Sequence, residues 1–121
     1  GYTKARLSAA WLAPSSTRTT LVLSQGAAPD GFVTIRQCRQ GHKIGPLIAG
    51  DIDMAIALIR AATHYAAAER VVIDVPSDNA GLTEYCRSLE MECAFNTARM
   101  YRGPAPEPGH PMRTIATLEL G

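Results

Sequence analysis

The residue order predicts an α/β (α+β) domain: a mixed, largely antiparallel sheet with one parallel strand pair and helices on both faces. Three observations carry this. Residues 17–48 hold three β-prone segments separated by short turns. An apolar helical repeat starts at Ile52, and the nearly continuous apolar run Val71-Val72-Ile73-Asp74-Val75 follows it. A meander, a helix and a buried strand imply a right-handed crossover, which sets the fourth strand parallel to the third.

Each element has its own local reason. Residues Thr3 to Leu12 put Leu7 and Trp11 one helical turn apart, and Pro14 ends that run. Thr17 to Ser24 is β-branched and alternating, as a strand requires. The Pro29-Asp30-Gly31 turn leads into Phe32-Val33-Thr34-Ile35, with Phe32 and Thr34 facing opposite to Val33 and Ile35. A turn at Gln40-Gly41 leads into Lys43-Ile44-Gly45-Pro46-Leu47-Ile48, where Pro46 marks a bulge or an unpaired edge. Asp51 is an expected N-cap for a helix to about Ala68, with Ile52, Ala55, Ile56, Ile59 and Ala62 on its apolar face and Met54, Leu58 and Tyr65 widening it. Arg70 to Val75 reads as a strand covered on both faces. A second helix is expected over about Ala80 to Glu90, with Leu82, Cys86 and Leu89 inward, then a strand from Cys93 to Tyr101. A loop carrying Pro104, Pro106, Pro108 and Pro111 precedes a last strand, Thr114 to Leu120.

Composition bounds the function. The chain has 121 residues, 46% hydrophobic and 19% charged, enough for one domain with an unstapled core. A formal charge of +1 supplies no broad field for nucleic acid or an anionic membrane, and an aromatic share of 6% offers no base-stacking platform. No apolar run approaches the roughly eighteen residues of a membrane span. The three cysteines, Cys38, Cys86 and Cys93, lack metal-ligand spacing and fit a reducing cytoplasm, so no metal is expected. Because the chain opens at Gly1, it is read as a piece of a longer protein: residues 1–14 a helix and linker, 17–121 the core of a single domain.

The pieces Ile44-Gly45-Pro46-Leu47, Val72-Ile73-Asp74-Val75-Pro76, Asn79, Thr97-Ala98-Arg99-Met100-Tyr101-Arg102-Gly103 and Leu118-Glu119-Leu120-Gly121 occur in an order similar to that of the GNAT superfamily of acyl-CoA-dependent N-acyltransferases. More narrowly, the chain resembles the C-terminal domain of bacterial proteins carrying two such domains in tandem, over residues 17 to 121. The resemblance implies that two adjacent parallel strands, here Ile44 to Ala49 and Val71 to Val75, splay apart. The pantetheine arm of acetyl-CoA would lie in the gap as an added strand. It makes Ile44, Gly45, Leu47, Ile48, Ala49 and Asn79 the expected cofactor contacts. Acyl transfer from a thioester to an amine needs a base and an acid, for which Asp74, Cys86 and Tyr101 are the candidates. Arg99 and Arg102 are candidates for substrate binding.

Bland readings stand beside these. Ser77-Asp78-Asn79 is an ordinary helix-capping cluster, and Cys86 is read first as a core cysteine. Asp74 suits a structural ion pair, and Tyr101 suits packing against the proline loop. Arg36, Arg39, His42 and Lys43 are a basic cluster read as an exposed hairpin tip, although cofactor phosphates or an acidic substrate would also suit it. Cys38 with His42 is background, His64 an ordinary helix residue and His110 a surface residue.

Two departures stand out. The Arg/Gln-x-x-Gly-x-Gly/Ala pyrophosphate loop of the family is replaced by Ala49-Gly50-Asp51-Ile52-Asp53-Met54, whose carboxylates repel an anion. The tyrosine often found seven residues after the asparagine is Cys86, with Tyr85 one position earlier. Two functions therefore stay open, beside the blander one of a domain binding some other small ligand in the same cleft. One is a cytoplasmic acetyl-CoA-dependent N-acetyltransferase acting on a small-molecule or peptide amine. The other is a non-catalytic module that binds substrate, dimerises or regulates, partnering an N-terminal domain of the same protein.

Overall fold

The structure is a computed structural model, and it describes residues 9, 10, 12–98, 100, 102–104 and 112–115. After a helical stretch at Ala9, Ala10 and Leu12, the order is β1 (Arg18–Leu23), β2 (Gly31–Cys38), β3 (Gly41–Ala49), α1 (Ile52–Tyr65), β4 (Val71–Ile73), α2 (Ala80–Ser88) and β5 (Met112–Thr114). The strands form one mixed sheet in the order β1-β2-β3-β4, with β5 also on β3.

The meander forms as expected. β1 and β2 pair antiparallel from Arg18↔Arg36 to Leu23↔Gly31, and Asp30 Oδ2 accepts from the Gln25 amide at 2.7 Å across the loop. The turn into β3 depends on Gly41, whose φ of +94° is costly for a side-chain-bearing residue. Pairing then shifts from Ile35↔Ile44 to Val33↔Leu47, so β3 carries one extra residue around Gly45 and Pro46. This is the bulge expected at Pro46, which has no amide to give the ladder, and the Gly45–Pro46 peptide is cis.

One face of the sheet meets the helices. Gly31 lies against Met54 and Leu58, so Val33 and Ile35, an even number of residues along, also face α1. Ala55, Leu58, Ile59 and Ala62 of α1 join Val33, Ile35, Ile44, Leu47, Ala49 and Leu82 of α2 in one core. Asp51 caps α1 by accepting from the Met54 amide at 2.7 Å. On the other face Thr20 donates to the Leu12 carbonyl at 3.1 Å and meets the buried Thr34 hydroxyl at 2.8 Å, so the Leu12 end of the first helical stretch reaches that side.

Several expectations change. α1 ends at Tyr65 rather than Ala68, and Tyr65 is 63% exposed instead of widening the apolar face. β4 is only three residues long and Val72 is 44% exposed, so this strand is covered on one face rather than two. α2 stops at Ser88, leaving Leu89 as its exposed C-cap. Cys93 to Ala98 forms no strand: no partner edge reaches it among the described residues, and Phe95 is 65% exposed. β-prone side chains express that preference only against a neighbouring strand. The last strand begins earlier than expected, at Met112, and joins β3; 116–121 lie outside the described residues, as do most of residues Thr3 to Leu12.

Candidate functional site

The two strands expected to diverge do so after a short ladder. β3 and β4 run parallel and pair only at His42↔Val71, Lys43↔Val72 and Ile44↔Ile73. Beyond Ile44 the bulge turns β3 away. From there its backbone pairs not with β4 but with β5, antiparallel, at Leu47↔Thr114 and Ile48↔Met112. On the far side of the gap, the Ile115 amide donates to the Asp74 carbonyl at 3.4 Å. Residues 112–115 thus lie between the diverged strands, bonded to both.

The residues expected to contact the cofactor lie on β3 from the end of its β4 ladder onward, and at Asn79 ahead of α2. Ile44, Leu47 and Ala49 are fully buried, and Gly45 is buried with φ +146°. A side chain at Gly45 would collide with the Ile115 carbonyl, so the close approach of the two backbones needs glycine. Asn79 does not cap α2 with its side chain, contrary to the capping alternative. It is 8% exposed, and its Nδ2 donates instead to the Arg113 carbonyl at 3.3 Å, from 34 residues away in sequence.

Arg113 was not singled out from the sequence, yet its side chain makes two hydrogen bonds across the gap. Its Nε donates to the Ala49 carbonyl at 3.1 Å and an Nη to the Gly50 carbonyl at 3.0 Å, in the loop ahead of α1. A cation therefore sits beside the segment where Asp51 and Asp53 concentrate negative charge. Beside it Thr114 is fully buried, and no hydrogen bond reaches its hydroxyl among the described residues. The alternation of the last segment signalled a strand, but nothing local to it named β3 as the partner.

The candidate acid and base are less alike than their pairing suggested. Asp74 forms an ion pair with Lys43, the two side chains being 17% and 13% exposed. Among the described residues no other group reaches its buried Oδ2, so the Lys43 ammonium is what offsets that burial. The ion-pair alternative for Asp74 is thus realised, and Lys43 leaves the basic hairpin tip to serve it. Cys86 is half-buried against the core, and desolvation pushes its thiol above the ordinary range, favouring the protonated form. Arg102 is exposed, while Arg99 and Tyr101 lie outside the described residues. No cluster of metal-ligating side chains exists among the described residues.

A shallow cavity of about 180 Å³, lined by Thr17, Arg18, Gln37, His42 and Tyr65, contains none of the expected site residues. Among the described residues no helix is long and apolar enough to cross a membrane.

Known sequences are similar to this chain. The family profile described as an acetyltransferase (GNAT) domain matches residues 1–114. The chain is 32% identical over 129 aligned positions to a holothin acyltransferase of Pseudoalteromonas sp. (strain SANK 73390), an alignment covering 100% of this chain. It covers 42% of that relative, so the chain spans less than half the relative's length. No solved structure matches. With a meander, a bulged third strand and a diverging parallel partner in place, and a domain profile matched along nearly its whole length, the chain belongs to the GNAT acetyltransferase superfamily.

Proposed function

We propose that this domain binds acyl-CoA, acetyl-CoA being the first candidate, and takes part in acyl transfer to an amine. The observation that carries the reading is the divergence of β3 from β4 after Ile44↔Ile73, beyond which the β3 backbone ladders with an extended segment, as it does here with β5. A pantetheine arm offers the amides and carbonyls that such an edge takes, in the manner of an added strand. Asn79, buried at the gap with its amide already turned toward a backbone carbonyl there, suits the same arm. In this scheme Cys86 is the proton donor to the leaving thiolate, a role favoured by its protonated state, and Tyr101 is the alternative donor. Asp74 is the base only where an incoming amine displaces Lys43. Arg99 and Arg102 are assigned to acceptor binding by the family resemblance alone. The relative's name makes holothin the first acceptor to test.

A second reading, a non-catalytic module partnering an N-terminal domain, is favoured by the Ala49-Gly50-Asp51 loop. There the first turn of α1 is already capped by a carboxylate, and Asp53 adds a second charge against a pyrophosphate. The length of the relative supports a further domain in the whole protein. Calorimetric titration with acetyl-CoA, with dephospho-CoA as comparison, separates the two. Micromolar binding, weaker without the 3′-phosphate, is expected for the first reading. No heat at millimolar cofactor overturns it and leaves the module.

A further inference from the structure

We infer that residues 112–115 are a built-in occupant of the cofactor gap, a strand docked on β3 that acyl-CoA has to displace. The inference rests on the acyl-CoA reading above and goes beyond it by naming what competes for the site. Much of what a pantetheine arm would meet here is taken by this segment. The distal edge of β3 pairs with Met112 and Thr114, the Asn79 amide bonds the Arg113 carbonyl, and the β4 side is closed by the Ile115 amide on Asp74. The Arg113 guanidinium fastens the segment to the Ala49 and Gly50 carbonyls.

The segment is held firmly but imperfectly. β5 is three residues long with an irregular register on β3, and the Thr114 hydroxyl is buried with no hydrogen bond among the described residues. A buried hydroxyl left without a partner loses its hydration for no return, which lowers the cost of leaving. The backbone pairing on β3 is a contact that any other extended chain carrying amides and carbonyls at the same spacing can also make. Arg113 is then the positioning residue of the docked state. When the segment leaves, Asn79 and the β3 edge become available together.

The test uses the full chain and its Arg113→Ala variant, with amide hydrogen exchange in the absence of ligand and calorimetry with CoA. Loss of two hydrogen bonds from a guanidinium predicts about tenfold faster exchange at residues 113–115 in the variant. Amides of β1 and β2 should be unchanged, which certifies that the fold is intact. The variant should then bind CoA several-fold more tightly than the parent chain, and CoA added to the parent chain should speed exchange at Ile115. Equal exchange in both proteins overturns the docked strand, whatever the affinity for CoA. Weaker CoA binding by the variant makes Arg113 a phosphate contact and overturns the competition. Faster exchange with no CoA binding by either protein removes the acyl-CoA reading and the competition with it, while the docked strand stands.

Discussion

Replacing Lys43 with methionine tests what the ion pair does in the fold. Lys43 lies within the short β3–β4 ladder and Asp74 directly follows the end of β4, both largely shielded from water. Methionine keeps most of the aliphatic stem, so packing changes little. Asp74 Oδ2, however, is left buried with neither an ion nor a hydrogen bond. Removing one partner of a fully buried pair costs about 3–5 kcal/mol, and the residual exposure here reduces that to about 2 kcal/mol. Urea unfolding should show the loss as a midpoint lowered by about 1 M, taking a slope of about 2 kcal/mol per M. The double variant Lys43→Met, Asp74→Leu removes both charges and should recover most of the loss, giving a coupling of about 1–2 kcal/mol in the cycle. A single Lys43→Met variant within about 0.5 kcal/mol of the parent protein would refute the reasoning, since an uncompensated buried carboxylate cannot be so cheap.

The remaining predictions concern the core, the α1 cap and the thiol. Leu82→Ala opens a void where α2 meets the core and should cost about 2–5 kcal/mol in the same unfolding assay. Asp51→Ala removes the acceptor for the Met54 amide and should cost about 1 kcal/mol, with helix loss visible by circular dichroism on mild heating. Cys86 has a raised pKa in the folded state, so its contribution to stability is complete below the ordinary thiol pKa and is lost as pH rises through the raised value. The Cys86→Ala variant should therefore lose less stability than the parent chain over that alkaline interval, and exposed Cys93 should alkylate before Cys86 does.

The elements legible in the sequence are those whose signals are short-range. β1 to β3 follow from alternation and from turns at Asp30 and Gly41, the bulge from Pro46, and the start of α1 from Asp51. The splayed pair was also legible, through the order of elements and the resemblance that order carries. Misreadings arose where a residue's role depends on something distant. Val72 and Leu89 are apolar yet exposed, because apolarity alone does not say which face receives a neighbour. Ser77-Asp78-Asn79 has the composition of a cap, but Asn79 bonds a carbonyl on β5. Phe95 sits in a β-prone segment that meets no strand edge among the described residues.

Sequence alone determined the mixed α/β class, the meander with its bulge and the capped α1, all of them consequences of period, turn chemistry and local capping, while the family came through the resemblance of its motifs. Tertiary structure alone decided what fills the gap between β3 and β4, that Lys43 answers Asp74, and that Arg113 fastens residues 112–115 across the loop before α1. The physical reason is that backbone pairing on an open strand edge carries almost no sequence code. A segment more than sixty residues downstream of Ala49 takes the edge because the fold brings it there and its amides need partners.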